Sequence, residues 1–446
     1  MKRAQACSRR QAISTGGAWL GLGGLMAACT VGGSGGGQPG DQAPPAGTLK
    51  AGTKVTVASP GGTDHQEIYQ RAMQTFQQRH AGVSAEFVST AGQNNMEKIT
   101  AARAAGTPFE VIRVSPNETP TLAHRGLIRT IDDLAKRDKY DLADFFEKCL
   151  GQYYWKAKLY ALPRGFGNQD VYYNVTMFQS AGIKPPPYDW NARTWTTDEF
   201  LDAATRLTRL AGDAGWGWDQ GTGLRQWAPW VWIFGGDILN QDGTRCILDQ
   251  QPAVDGLQFL QDLIYRHRVM PPPSANLNAL NAFGGDKLGM HMSIPAQLRN
   301  HRRLEGLSWD VAPVPRKATR LTSGGGVAWH LSEGVPDLNA AWELHKWMAS
   351  KEIQTEECEA DVTAPPRKSV LRSACFVDRS RPPKGIDVFV QAPEFVHPDP
   401  QALGWSEMDE AIDKGLVALW DGSKTAHQIA QEVVPQVNRI LQANAG

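Results

Sequence analysis

The stretch Leu159–Asn174, LYALPRGFGNQDVYYN, constrains the fold more than any other. An apolar run ends at Pro163, the loop-forming sequence Arg164-Gly165-Phe166-Gly167 follows, and Val171-Tyr172-Tyr173 restarts the apolar pattern before Asn174. Proline removes a backbone donor and glycine admits positive φ, so the two runs cannot form one regular ladder. The break reads either as a bulge in a strand connection or as a crossing between two lobes. Strand and helix patterns alternate on both sides, and each side is long enough to be a domain, which favours a crossing.

The N-terminal side reads as βαβαβ, an open α/β lobe. Lys54–Ala58, Val83–Val88 and Phe109–Val114 have strand patterns. Between them, Ile68, Ala72, Met73 and Phe76 mark one face of a helix, expected to start at an Asp64 cap with Glu67 behind it, and Met96–Ala105 forms a second helix. Ligands of such sheets meet the loops at the carboxyl ends of the strands. These loops hold Ser59 and Gly61 after the first strand, and Asn117 and Glu118 after the third. Ser115–Glu118 also reads as a cap for the helix Thr119–Arg125, a role compatible with ligand contact.

Beyond the break, Thr196 or Thr197 caps a helix to Leu210. Trp216 and Trp218 alternate in a short strand and read as core. Leu224–Phe234 carries Trp227, Trp230 and Trp232. Some of these indoles must be core, but so many together also suit the apolar faces of a sugar, which makes Trp227 and Trp230 site candidates. Gly324-Gly325-Gly326 precedes the strand that holds Trp329, where a ligand can approach the backbone closely.

The order of motifs resembles family 1 extracellular solute-binding proteins, the sugar-capturing subunits of ABC importers related to maltose-binding protein. Lys158-Leu159-Tyr160-Ala161-Leu162-Pro163 and Tyr172-Tyr173-Asn174, followed by Phe178 and Ala181-Gly182-Ile183, are similar to the family's hinge region. So are Asp310-Val311-Ala312-Pro313, a second crossing, and Ala364-Pro365-Pro366-Arg367, a return to the second lobe. Ala282–Met290 departs from the family's pattern, and Ile294-Pro295-Ala296 lacks the tryptophan that often follows. The resemblance implies a two-lobed α/β fold of the periplasmic-binding-protein kind, with hinge-crossing strands and a ligand cleft between lobes. Lobe 1 would comprise residues 51–163 and 314–364, and lobe 2 residues 164–313 and 365–446. It also implies a ligand contact from Trp405, an aromatic at the start of a C-terminal helix; Phe166 and Gly167 at the hinge, Gly325, Gly326, Trp329 and Arg367 are the further expected contacts. The expected partners are a mono- or oligosaccharide and the permease subunits of an importer, with the protein a monomer.

The N-terminus reads as a leader: a twin-arginine pattern at Arg9-Arg10, a Gly-rich apolar run, and small residues before Cys29. Residues 1–28 would be removed, Cys29 lipidated, and residues 29–50 would form a flexible tether, leaving the protein anchored at the outer face of the membrane or in the periplasm. The chain has 46 basic and 46 acidic residues, and the leader takes four basic ones, leaving 42 against 46, or about −4. No basic patch suits nucleic acid. Of the six cysteines, Cys149, Cys246, Cys358 and Cys375 lie beyond Cys29. An even set in an oxidising compartment permits disulfides, with Cys358–Cys375 the closer pair and buried free thiols the alternative. No phosphate-binding loop or zinc motif occurs, and no cofactor or metal is expected. His291 and His301 are too far apart in sequence to suggest a shared metal, and adjacent Tyr172 and Tyr173 read as one inward and one outward rather than an iron site. The reading is a binding protein, not an enzyme. The alternatives are a secreted carbohydrate-active enzyme, or a binding protein for another solute such as glycerol-3-phosphate, for which only Arg164 and Arg367 are placed to meet a phosphate.

Overall fold

The computed structural model describes residues 48–444 apart from 92–94 and 214. The leader, Cys29 and nearly all of the expected tether lie outside the described residues. Nine strands form two main sheets: β1 Lys54–Ser59, β2 Ser84–Ser89, β3 Val111–Val114, β4 Ala161–Phe166, β5 Asp170–Asn174, β6 Trp216–Asp219, β7 Leu288–Ser293, β8 Trp309–Ala312 and β9 Gly326–Leu331. The principal helices are α1 Thr63–Arg79, α2 Asn95–Ala104, α3 Thr197–Ala211, α4 Leu224–Ile233, α5 Gln251–Tyr265, α6 Leu338–Met348, α7 Lys351–Glu359, α8 Trp405–Trp420 and α9 Ala426–Asn444.

The first sheet runs β2-β1-β3-β9-β4, with β1 parallel to β2 and β3 and with β9 antiparallel to both β3 and β4. The second runs β8-β5-β7-β6, and only its β6–β7 pair is parallel. Each sheet has its own core. In the first lobe the α1 stripe Ile68, Tyr69, Ala72, Met73 and Phe76 is buried with α6 against the sheet. In the second, Trp218, Trp230 and Phe200 pack edge to face or tilted within about 6 Å, and α8 and α9 close over α5. This is a two-lobed α/β fold.

The lobes are joined where β4 gives way to β5 through Gly167, Asn168 and Gln169, so β4 continues in the first sheet to Phe166, past the boundary expected at Pro163. The second crossing also differs from expectation. Residues 313–321 do not cross. Trp195 Nε1 donates to Pro313 O at 3.0 Å, and Arg320 gives its guanidinium to the carbonyls of Trp190, Ala192, Thr194 and Trp195, which ties the segment to the second lobe. The passage is made at Thr322–Gly326, where Thr322–Ser323 pairs with Val396–His397 and then β9 begins. A third passage lies near Ala364, which bridges Phe166. A disulfide joins Cys358 of α7 to Cys375 beyond that passage, while Cys149 and Cys246 are free and buried.

Local rules explain several helix starts. Thr196 and Glu199 form a reciprocal capping box at α3, and Asp337 caps α6. α1 starts at Thr63 with Gly62 in the cap position, so the expected Asp64 cap is not formed. Tyr172 and Tyr173 are both buried, on opposite faces, because both faces of the second sheet are covered: Tyr172 meets His301 and Trp309, and Tyr173 meets Phe178. No described helix is long and apolar enough to cross a membrane.

Candidate functional site

The loop that follows β3 in the first lobe, and those around β7, the start of α4 and the start of α8 in the second, lie beside the crossings. Two cavities lie there. One, of about 430 Å³, is lined by Gly167, Gln169, Arg225, Gln226, the β7 end His291–Ile294, Gln297 and His301. The other, of about 450 Å³, is lined by Ser115, Asn117, Glu118, Trp405, Ser406, Asp409, Asp413 and Lys414. Ser406 Oγ donates to Glu118 Oε1 at 2.7 Å, so the second cavity draws on both lobes.

Arg225 is the hub. Its Nη2 donates to Asp399 Oδ2 at 2.8 Å, and its Nε reaches the same oxygen at 3.3 Å. Asp399 is buried, which makes this a charge-assisted pair in a low-dielectric setting. Nη2 also lies 3.4 Å from Gly326 O of the first lobe. A β-carbon at Gly325 would overlap the guanidinium, so only glycine lets the strand entry pass this close. Gly167 donates its N–H to Gly325 O, locking the first crossing to the second.

In the first cavity, His291 and His301 meet with their Nε2 atoms 2.9 Å apart. His301 Nδ1 faces Gln297 O at 2.8 Å and so carries its proton; its Nε2 then accepts, and His291 Nε2–H donates. Burial holds His301 down at about 4 and His291 well below the ordinary range, which keeps both neutral. The two rings point at each other along a hydrogen bond, and no group of three described His, Cys, Asp or Glu side chains is arranged to hold a metal. In the second cavity, burial first and then the charges of Asp413, Asp399 and Glu118 push Asp409 up to about 6.

The structure sorts the expected residues. Asn117, Glu118 and Trp405 share the second cavity, and Gly167 lines the first. Gly325 and Gly326 lie against Arg225 at its edge. Ser59 and Gly61 form a tied turn, Gly61 N–H to Ser59 Oγ at 3.3 Å, and line neither cavity. Phe166 is buried against Phe146. Trp227, Trp230 and Trp329 are at 0 % exposure and offer no face to a ligand. Trp230 Nε1 is satisfied by Gln220 at 2.6 Å, and Trp329 packs on Tyr69 at 5.2 Å. These three are core, a correction with a simple cause: a fully covered indole has no surface left to share. Arg367 is also structural, bound to Ala349 O, Asp144 and Tyr140 and stacked on Phe145. Arg164 is held by buried Glu357 at 2.7 Å. Neither arginine lines the cavities to meet a phosphate. Sequence reasoning passed over Arg225, Asp399 and Asp409. The signals were present: Arg225 is the one charged residue in Leu224–Phe234, Asp399 stands between two prolines, and Asp409 and Asp413 are four apart on one helix.

Residues 71–380 match the family model described as a bacterial extracellular solute-binding protein. A binding protein of Brucella abortus (strain 2308) is 21 % identical over 387 residues, covering 84 % of this chain and 89 % of that one. The sugar-binding protein MalE from the phytopathogen Xanthomonas citri superposes with a TM-score of 0.77 at 17 % identity, over 88 % of this chain and 98 % of that one. The ABC substrate-binding protein Lmo0181 from Listeria monocytogenes, in complex with cycloalternan, does so with 0.75 at 16 % identity, over 87 % and 99 %.

Proposed function

The chain belongs to the bacterial extracellular solute-binding protein family, and from that premise we propose that it captures a carbohydrate between its lobes and delivers it to the permease of an ABC importer. The observation that carries this reading is the pair of cavities at the crossings, where hydrogen-bonding groups converge from both lobes around Trp405 and Arg225. A sugar asks for this chemistry: an aromatic body for its apolar faces, and fixed donors and acceptors for its hydroxyls. The two similar structures named above, a sugar-binding protein and a cycloalternan complex, support the substrate class.

Binding closes the lobes about the passages at Gly167–Gln169 and Thr322–Gly326, because a ligand that touches both lobes selects the state in which both touch it. The chain works as a monomer, without turnover. Cys29 carries a lipid after twin-arginine export, and the lobe boundaries follow the crossings. Thermal-shift screening against a panel of sugars and polyols tests the reading: a ligand at about 100 times its Kd adds about 2.7 kcal/mol of stability. No shift with any sugar, or release of a cleaved product, overturns it.

A further inference from the structure

We propose that Gln169, in the first crossing, reads the ligand directly: its carboxamide oxygen accepts a hydrogen bond from one hydroxyl of a sugar seated in the cavity at the end of β7, and so decides which hydroxyl pattern is taken. The inference rests on the carbohydrate reading for its cleft and adds a residue that discriminates between sugars, which that reading leaves open.

Gln169 is 2 % exposed and lines this cavity. Its Oε1 is buried with no hydrogen-bond partner. Among the described side chains of the lining, no other buried nitrogen or oxygen is left unpaired. The other polar groups are engaged within the protein: Arg225 with Asp399, His291 with His301, and Gln297 Oε1 with Asn300 Nδ2 at 2.6 Å. An unpaired buried acceptor destabilises the empty protein, and a ligand that brings a donor relieves it. Asn168 and Asp170 also carry one unpartnered oxygen each, yet these two bond to one another, Asn168 Nδ2 to Asp170 Oδ2, and line neither cavity. Of the three, only Gln169 reaches the place where a ligand would sit.

The backbone that carries this carboxamide is fixed. The Gln169 N–H donates to Thr322 Oγ1 at 2.9 Å, and that hydroxyl donates in turn to Gln169 O at 2.6 Å. Thr322 thus clasps the first crossing to the second and mounts the acceptor before any ligand arrives, so less freedom is lost on binding. The donor that fits is a hydroxyl. No carboxylate lines this cavity among the described residues, and both imidazoles are held neutral, so nothing there draws an ammonium group. Leu280, Met292 and Ile294 complete the lining with apolar surface for the carbon face of the sugar.

The test is calorimetric titration of the purified full chain with glucose, mannose, galactose, maltose and mannitol, then with the monodeoxy derivatives of those that bind. The parent is compared with Gln169→Met, which keeps the length of the side chain and removes the acceptor; Gln169→Leu replaces it if that variant does not fold. The expected result is that one monodeoxy derivative binds the parent about tenfold or more weakly than its sugar. The variant binds that sugar with a similar loss and no longer distinguishes it from the derivative. A parent indifferent to every single hydroxyl overturns the proposal, as does a folded variant that discriminates as strongly as the parent. Both outcomes leave the carbohydrate reading standing, because sugars still bind. No binding of any of the five compounds at millimolar concentration overturns the carbohydrate reading, and the proposal with it.

Discussion

The guanidinium of Arg225 fills the space that a β-carbon at Gly325 would need. Gly325→Ala therefore drives Arg225 away from Asp399, a buried carboxylate whose Oδ1 already lacks a partner. Stability should fall by about 1–3 kcal/mol and ligand affinity by about tenfold or more. Denaturant melts and titration check this, with Gly151→Ala, where a β-carbon meets nothing, as the control.

Trp405 is buried to 1 % and also lines the second cavity, so core and ligand roles are not alternatives for it. Trp405→Ala should lose roughly 3–5 kcal/mol of stability and also bind more weakly once folded. Trp405→Phe should recover much of the stability but not the indole N–H. Normal ligand affinity in Trp405→Phe would remove the N–H from the site.

Trp329, by contrast, should act on stability alone. Its ring lies between the first sheet and Tyr69, and it reaches no cavity wall. Trp329→Leu should lower the unfolding midpoint while leaving the Kd of any ligand within about twofold, since a folded protein keeps its cleft.

Asp409 makes the empty protein pH-sensitive. Its folded pKa is raised to about 6 from 3.8, first by burial and then by Asp413, Asp399 and Glu118, with Arg225 opposing. Between those values the folded state binds more protons than the unfolded one, so this group's contribution to stability falls as pH rises through the window. Asp409→Asn removes the effect. The variant should gain stability relative to the parent between about pH 4 and pH 7, read from paired denaturant melts. A constant difference across that range would contradict the assignment.

The Cys358–Cys375 disulfide closes a loop with a sequence separation of 17. On chain entropy, a loop of that length is worth about 3 kcal/mol. The double variant Cys358→Ser/Cys375→Ser should show that loss in its denaturant midpoint; a parent insensitive to reductant and equal to the variant would show that the bond is not formed in solution.

Much of the fold was legible because period and punctuation are local. The α1 stripe, the capping box at Thr196 and the break at Pro163–Gly167 lie within a few residues of what they determine. The second crossing was not legible. Pro313 and Pro315 look like its start, but the cage of carbonyls around Arg320 comes from residues 189–195, more than a hundred positions earlier, and keeps the chain on the second lobe. The site was hidden for a similar reason. Arg225 and Asp399 are 174 residues apart, and nothing near either announces the other. Indole-rich α4 looked like a sugar platform because composition alone does not distinguish a covered ring from an offered one; only the packing of Phe200, Trp218 and Phe259 around Trp230 does.

The place of β9 in the first sheet bears on how the chain is made. β3 and β4 are neighbours only through β9, which ends at Leu331. On a ribosome, the first lobe therefore waits with an open seam while more than 150 further residues emerge, including all four strands of the second lobe's sheet. Two strand edges stay unpaired through that interval and can pair with other chains. The sheet that begins first in the sequence is finished only after every strand of the second lobe's sheet has been made, and an export route that requires a folded passenger would have to wait for it.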